Sequence, residues 1–180
     1  VVLLMAHACY KASLVLGAGI VIHETGEADV RRLGGLARFM PIAGTCALVA
    51  AVSMAGVPLS FGFVAKELVY ASVLDRFMVF IPAVLASLLF VLVAFQVGIK
   101  PFLLGSWRSS ESLHEAPPAM LLGPAVLGLA CLAGGLFPQA FAGAMAASAA
   151  AAIQGIPSLE FDLHAWHGVT PEFGASVLTL

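Results

Sequence analysis

The stretch that decides the fold is residues 53–67, which read Ser53-Met-Ala-Gly56-Val-Pro58-Leu-Ser-Phe-Gly62-Phe-Val-Ala-Lys66-Glu67. Gly56, Pro58 and Gly62 form a cluster of helix breakers inside a long apolar region. The apolar pieces on either side, 41–56 and 61–74, are each short for a hydrocarbon core of about 30 Å, yet together they exceed one straight crossing. The pattern predicts one discontinuous membrane helix, broken near Pro58.

The composition of the whole chain indicates a membrane protein. Hydrophobic residues make up 61% of its 180 residues and charged residues only 10%, whereas soluble domains average about 25% charged residues. So few charges cannot cover a soluble fold of this size. The chain has eight Lys and Arg and ten Asp and Glu. It therefore lacks the excess of positive charge that nucleic-acid binding requires. Nucleic-acid binders and ordinary soluble domains are excluded, and an integral protein of the lipid bilayer remains.

Four membrane crossings are predicted, which makes the fold class an all-α, multi-span helical bundle. They are expected at about 1–22, 41–74 (the broken helix), 77–99 and 119–137, with the start of another at about 171–180. The Ala-rich stretch 138–157 is expected to lie on the membrane surface or outside the membrane. Because apolar runs are cut at both ends, the chain is interpreted as one transmembrane region from a larger polytopic protein.

Basic residues in the short connections predict the orientation. The first connection carries Arg31, Arg32 and Arg38 and the third carries Lys100 and Arg108, whereas the second carries only Arg76. Short cytoplasmic loops are enriched in Lys and Arg. The first and third connections are therefore expected on the cytoplasmic side.

Four ionisable residues are predicted to lie within the membrane: His7, Lys11, Lys66 and Glu67. Burying a charged side chain there costs free energy, so such residues usually have a function. His7 precedes Lys11 by one turn, so their side chains share a helix face. Lys66 follows the break, where backbone groups are free and water can enter. A desolvated lysine and a histidine can both exchange protons near neutral pH, which predicts a proton path. The alternative is that each lysine snorkels or pairs structurally, although the headgroups are about 15 Å away.

The other chemistry-bearing residues give weaker signals. Glu67 lies about 100° around the helix from Lys66, so it is expected to pair with another helix or to join the relay. No cofactor is expected, because Gly17-Ala-Gly19 lacks the third glycine of a dinucleotide fingerprint. No metal site is expected, because Ala-Pro-Pro follows His114-Glu115 in place of a second zinc-binding histidine. Three cysteines stand singly in apolar runs: Cys9, Cys46 and Cys131.

Long motifs resemble a known family. They are His7-Ala-Cys-Tyr-Lys11-Ala-Ser-Leu, Gly17-Ala-Gly-Ile-Val-Ile-His23-Glu-Thr-Gly, the run from Asp29 to Pro41, Ser53-Met-Ala-Gly-Val-Pro58, and Gly62-Phe-Val-Ala-Lys66-Glu67. They are similar to the antiporter-like proton-pathway subunits, which include respiratory complex I subunit 5 and the large A-type subunit of Mrp-type sodium/proton antiporters. Three later motifs look more like the Mrp protein: Leu113-His-Glu-Ala-Pro-Pro-Ala-Met120, Gly135-Leu-Phe-Pro138 and Leu163-His-Ala-Trp-His-Gly168.

The resemblance implies roles for individual residues. His7 and Lys11 match the histidine and lysine of one proton-channel helix, Lys66 matches the lysine on the broken helix, and Glu67 matches an acidic position beside it. Leu3 stands where the family commonly has another histidine, one turn before His7. The relay is therefore expected to be shorter there, with water filling the gap, or the start of this segment is atypical.

The predicted function is that of a transporter component rather than an enzyme. The resemblance implies a membrane subunit of a cation/proton antiporter, with H⁺ and Na⁺ as transported ions, other subunits of the complex as partners, and a prokaryotic cell membrane as location. One alternative is a proton-pumping subunit of NADH-quinone oxidoreductase, and a second is a structural membrane anchor. The acid-Pro-Pro and Trp-His-Gly motifs favour the antiporter over the redox complex, and the mid-membrane lysines favour either over an anchor.

Overall fold

The computed structural model describes residues 1–107, 113–155, 162–166, 168 and 170–180. Within these residues all regular structure is helical, which confirms the predicted all-α class. The α-helices are α1 Val2–Thr25, α2 Pro41–Ala55, α3 Phe61–Val73, α4 Phe77–Ala94, α5 Lys100–Leu103, α6 Pro118–Leu136, α7 Ala144–Gln154 and α8 Pro171–Leu178. A π-helical segment, Phe95–Ile99, joins α4 to α5, a second, Gln139–Gly143, precedes α7, and a 3₁₀ turn spans Leu36–Arg38.

Three helical stretches of the described chain are long and apolar enough to cross a bilayer. They are Val2–Thr25, Phe77–Leu103 and Pro118–Leu136. By contrast, α2 has 15 residues and α3 has 13. At 1.5 Å per residue these helices are about 22 and 20 Å long, so neither alone spans a hydrocarbon core of about 30 Å. Together, α2 and α3 form the predicted discontinuous helix.

The interruption between α2 and α3 has local causes. Gly56 ends α2 with a left-handed φ of 76°, and its N–H donates to the Ser53 carbonyl at 3.0 Å. Glycine suits such a C-cap because it has no Cβ. Pro58 has no N–H to continue the helical hydrogen bonding. Helix α3 begins after Ser60, whose hydroxyl caps it by accepting from the Phe63 N–H at 3.3 Å. The break predicted near Pro58 is confirmed.

The linker between α2 and α3, residues 56–60, is held by close contacts with neighbouring backbone. The Gly62 N–H donates to Ser53 Oγ at 3.1 Å, and a Cβ on Gly62 would collide with the Ser53 carbonyl oxygen. On the other side of the linker, a Cβ on Gly135 of α6 would collide with the carbonyl oxygen of Leu59. Leu59 has a φ of 68°, which is rare for a residue with a bulky side chain. The surrounding helices therefore fix the linker in one conformation.

Helix α1 lies at the centre of the described bundle. It packs against α2, α3 and α6, and it buries Ala6, Tyr10 and Leu14 on that face. Ser13 Oγ crosses to α6 and donates to the Pro124 carbonyl at 3.2 Å. The α4–α5 stretch differs, because Ser87 and Ala94 are the only buried residues of α4. The core of the described chain is therefore formed by α1, α2, α3 and α6, and α4 lies at its edge.

The first and third connections meet at one end of the bundle. The Gly35 N–H donates to the Leu104 carbonyl at 3.0 Å, which puts the loop after α1 beside the end of α5. Arg31 pairs with Asp29 at 2.8 Å, and hydrogen bonds from the Arg31 side chain and backbone lower the pKa of Asp29 to about 2. The contact agrees with the expectation that these connections share a side. Arg108, part of that expectation, lies outside the described residues.

Candidate functional site

Lys66 is buried beside the break, and its ammonium is held by neutral oxygens. Nζ donates to the Ala55 carbonyl, the Ser176 carbonyl and Thr179 Oγ1, each at 3.3 Å. Only 8% of the residue is exposed. Its stem passes Gly56, where a Cβ would lie 2.8 Å from the lysine Cε and Nζ. Gly56 therefore both ends α2 and makes room for the lysine.

The oxygens of this cage suit a cation, and among the described residues no carboxylate pairs with the ammonium at contact distance. Ala55 is the last residue of α2, and Ser176 lies in the last turn of α8. The C-terminus of a helix carries a partial negative charge of about half an electron, which stabilises a nearby cation. Since all three acceptors are neutral, loss of a proton from Lys66 leaves none of them as an uncompensated buried charge. The cage suits a lysine that is protonated and deprotonated in turn.

An aromatic cluster fixes α8 against α3. Thr170 caps α8 by accepting from the Phe173 N–H at 3.3 Å. The Phe173 ring meets Trp166 at 4.7 Å and Phe63 at 6.3 Å, and Trp166 stacks on Phe63 at 6.3 Å between ring centroids. Edge-to-face and stacked aromatic pairs stabilise such contacts beyond their buried area. The cluster thereby brings Thr179 and the Ser176 carbonyl to the Lys66 ammonium.

Glu67 is buried next to Lys66 on α3, with 5% of the residue exposed. Its charge interacts with Glu172 of α8 and with Lys66. Helix α8 thus contributes both to the lysine cage and to the electrostatic surroundings of Glu67. The structure brings Lys66 and Glu67 together at the junction of α3 and α8.

His7 and Lys11 form a separate group on α1. Both line one open cavity of about 310 Å³, which Met54 and Phe90 also line. Lys11 is exposed there, and His7 is half-buried. The His7 ring packs against Phe90 at 5.8 Å between centroids. His7 Nδ1 shares a hydrogen bond with Tyr10 Oη at 2.9 Å. The four predicted residues are therefore divided into a His7–Lys11 group and a Lys66–Glu67 group.

A second cavity, of about 110 Å³, adjoins Lys66. Tyr10, Tyr70 and Ser87 line it, and Met54 and Phe90 line it as well as the His7–Lys11 cavity. The Tyr70 hydroxyl donates to Ser87 Oγ at 2.8 Å. This volume exceeds that of one water molecule, and its lining is mostly apolar, with Lys66, Tyr10, Tyr70 and Ser87 as its polar residues. The two cavities therefore share part of their walls.

Sequence reasoning missed the hydroxyl-bearing residues around both groups. They are Tyr10, Tyr70, Ser87 and Thr179, together with the Ser176 carbonyl. Their one sequence signal is that they are polar side chains in apolar segments, where a polar group needs a partner. That signal does not say which partner it finds.

His114 and Glu115 join the ends of α1 and α2. Glu115 accepts from the Ile42 N–H at 2.6 Å and the Ala43 N–H at 3.4 Å, and so caps α2, whose own N-cap residue provides no side-chain hydrogen bond. His114 Nδ1 contacts Glu24 at 3.2 Å, and His23 Nδ1 contacts the same carboxylate at 3.0 Å. Among the described residues, no group of three His, Cys, Asp or Glu side chains is arranged to hold a metal ion.

Comparison with known proteins identifies related sequences. Residues 1–96 match the family described as NADH:quinone oxidoreductase/Mrp antiporter, TM. The chain is 35% identical to the A1 subunit of a Na(+)/H(+) antiporter from Staphylococcus saprophyticus, over 94% of this chain and 23% of that protein. It is 37% identical to a probable K(+)/H(+) antiporter subunit from Rhizobium meliloti, over 90% of this chain and 17% of that one.

A solved structure shares the fold. It is the Mrp complex from a Dietzia species, with a TM-score of 0.79 and 30% sequence identity, covering 97% of this chain and 19% of the matched chain. The chain thus spans about a fifth of the length of the three proteins to which it is similar.

Proposed function

The chain belongs to the NADH:quinone oxidoreductase/Mrp antiporter transmembrane family, and we propose that it is a membrane segment of the large A-type subunit of a multisubunit cation/proton antiporter. Lys66 and the His7–Lys11 group carry part of its proton path, with Glu67 beside Lys66. Proton movement in one direction drives Na⁺ in the other across a bacterial cell membrane. The partners are the remaining helices of the same polypeptide and the other subunits of the complex.

The observation that carries this proposal is the position of Lys66. Its ammonium lies at the break between α2 and α3, in a cage of three neutral oxygens, and Lys66 also lines a cavity of about 110 Å³. An ionisable group at membrane depth is costly, and such groups mark ion pathways. A structural anchor has no need of a buried lysine with this access to water-sized space.

Similarity favours the antiporter over the quinone-reducing complex. The relatives from Staphylococcus saprophyticus and Rhizobium meliloti are antiporter subunits by name, and the structural match is an Mrp complex. One relative is named for Na⁺ and the other for K⁺, so similarity in this segment does not select the cation. Na⁺ is the proposed cation, and K⁺ is compared with it in the test below.

The membrane arrangement follows from the helices. We propose that α1, the α2–α3 pair, the α4–α5 stretch and α6 each cross the bilayer, and that α8 begins a further crossing. The Ala-rich α7 lies outside the hydrocarbon core. In this arrangement the end of the bundle where Gly35 meets Leu104 faces the cytoplasm, because it carries the basic connections.

The test uses the complete antiporter complex in everted membrane vesicles from a host that lacks its own antiporters. Collapse of the pH gradient on adding Na⁺ or K⁺, without NADH, reports cation/proton exchange. Lys66→Ala and Lys11→Ala are expected to abolish it while native gels show an assembled complex. Lys100→Ala is the matched control, because Lys100 lies in α5 and lines neither cavity. Normal exchange in both cavity variants, or proton movement that requires NADH, would refute the proposal.

A further inference from the structure

The hydrogen bond between His7 and Tyr10 joins two residues that line different cavities. His7 lines the cavity that contains Lys11, whereas Tyr10 lines the cavity that contains Lys66. Tyr10 Oη and His7 Nδ1 are 2.9 Å apart. Met54 and Phe90, the side chains that line both cavities, carry no titratable group. Among the described residues that line the two cavities, Tyr10 is therefore the one whose exchangeable hydroxyl joins the two predicted groups of residues.

The surroundings of Tyr10 suit a group that passes protons rather than one that faces lipid. Only 2% of the residue is exposed, and its ring meets the His7 ring edge-on at 5.2 Å between centroids. A phenol hydroxyl can donate one hydrogen bond and accept another at the same time. Lys66 and Tyr70 line the same cavity as Tyr10. Leu3, one turn before His7, lines the same cavity and offers no such group.

We infer that Tyr10 is a proton-relay residue between Lys66 and His7, an inference that rests on the proposed function. Tyr10 Oη gives its proton to Nδ1 of a His7 that is protonated on Nε2, and it takes a proton from water in the Lys66 cavity. That water takes one from the Lys66 ammonium. The O–H bond of Tyr10 is broken and re-formed, so the net change is one proton lost by Lys66 and one gained by His7.

The test compares two variants that each lose one hydroxyl, in the complete complex. Tyr10→Phe removes the hydroxyl and keeps the ring, and it is expected to slow cation/proton exchange about a hundredfold, the low end for a positioned proton-transfer group. Ser148→Ala is the control for loss of a hydroxyl, because the Ser148 hydroxyl donates to the Ala144 carbonyl of its own helix and the residue lines neither cavity. It is expected to retain exchange within about twofold, since no proton-transfer partner is lost.

A second arm separates relay from mere positioning of His7. Adding Leu3→His to Tyr10→Phe returns an exchangeable group to the Lys66 cavity, and it is expected to restore most of the lost rate. If the double variant stays as slow as Tyr10→Phe, the hydroxyl only orients His7 and the relay role is overturned. Normal exchange in Tyr10→Phe would overturn it as well. Normal exchange in both Lys66→Ala and Lys11→Ala would instead refute the proposed function itself.

Discussion

Lys66 Nζ lies 3.3 Å from the carbonyl oxygen of Ala55, the last residue of the helix before the break. In a continuous helix that carbonyl would accept from a backbone N–H four residues later. The break frees it, and the lysine takes the place of the missing N–H. The interruption and the buried lysine are therefore one structural feature, because the first creates an acceptor that the second uses.

Gly56→Ala is expected to damage both parts of that feature. A non-glycine residue at a φ of 76° costs about 1–3 kcal/mol, and the new Cβ would press on the Lys66 stem. We expect a lower melting temperature of the purified complex and reduced exchange. Gly19→Ala is the control, since a Cβ there meets nothing within 4 Å. Equal stability of the two variants would contradict the role given to Gly56.

Thr179→Val is expected to shift the pH profile of exchange towards lower pH. The substitution removes one of the three acceptors of the Lys66 ammonium and keeps the shape of the side chain. The charged form of the lysine then loses stabilisation, so its proton leaves at lower pH. Thr179→Ser retains the hydroxyl and should keep the parental profile. A Val variant whose profile matches that of the Ser variant would exclude Thr179 from the cage.

Glu115→Ala is expected to destabilise the bundle rather than alter the proton path. The carboxylate caps α2 through the Ile42 and Ala43 N–H groups, and losing a helix N-cap costs about 1 kcal/mol. The melting temperature should fall, with exchange at low temperature largely preserved. Asp75→Ala is the control, because Asp75 is an exposed acid in another connection, and it should leave the melting temperature unchanged. A comparable loss in both variants would contradict the capping role.

The break was predictable because its causes are local. Gly56 and Pro58 act through their own backbone, and each imposes its conformation without regard to distant residues. The all-helical class was predictable for a related reason, since long apolar runs with few charges leave helices as the structure that satisfies the backbone in lipid.

The partners of the site were not predictable, because they come from far along the chain. Ser176 and Thr179 meet Lys66 across 110 and 113 residues, and Glu115 reaches the start of α2 across 73. These contacts depend on how α8 and α6 pack, which no periodicity within one segment specifies. Tyr10 was missed for a different reason. It stands between the predicted His7 and Lys11, yet its importance appears only once the two cavities are known.

The most direct test of the central claim, that Lys66 itself takes up and releases a proton, is the exchange rate of Lys66→Arg in the assembled complex. A guanidinium keeps the positive charge and its hydrogen bonds but does not release its proton near neutral pH. Lys66→Arg is therefore expected to lose exchange as completely as Lys66→Ala, with native gels showing normal assembly. Normal exchange in Lys66→Arg would contradict the claim and would assign Lys66 a fixed-charge role instead.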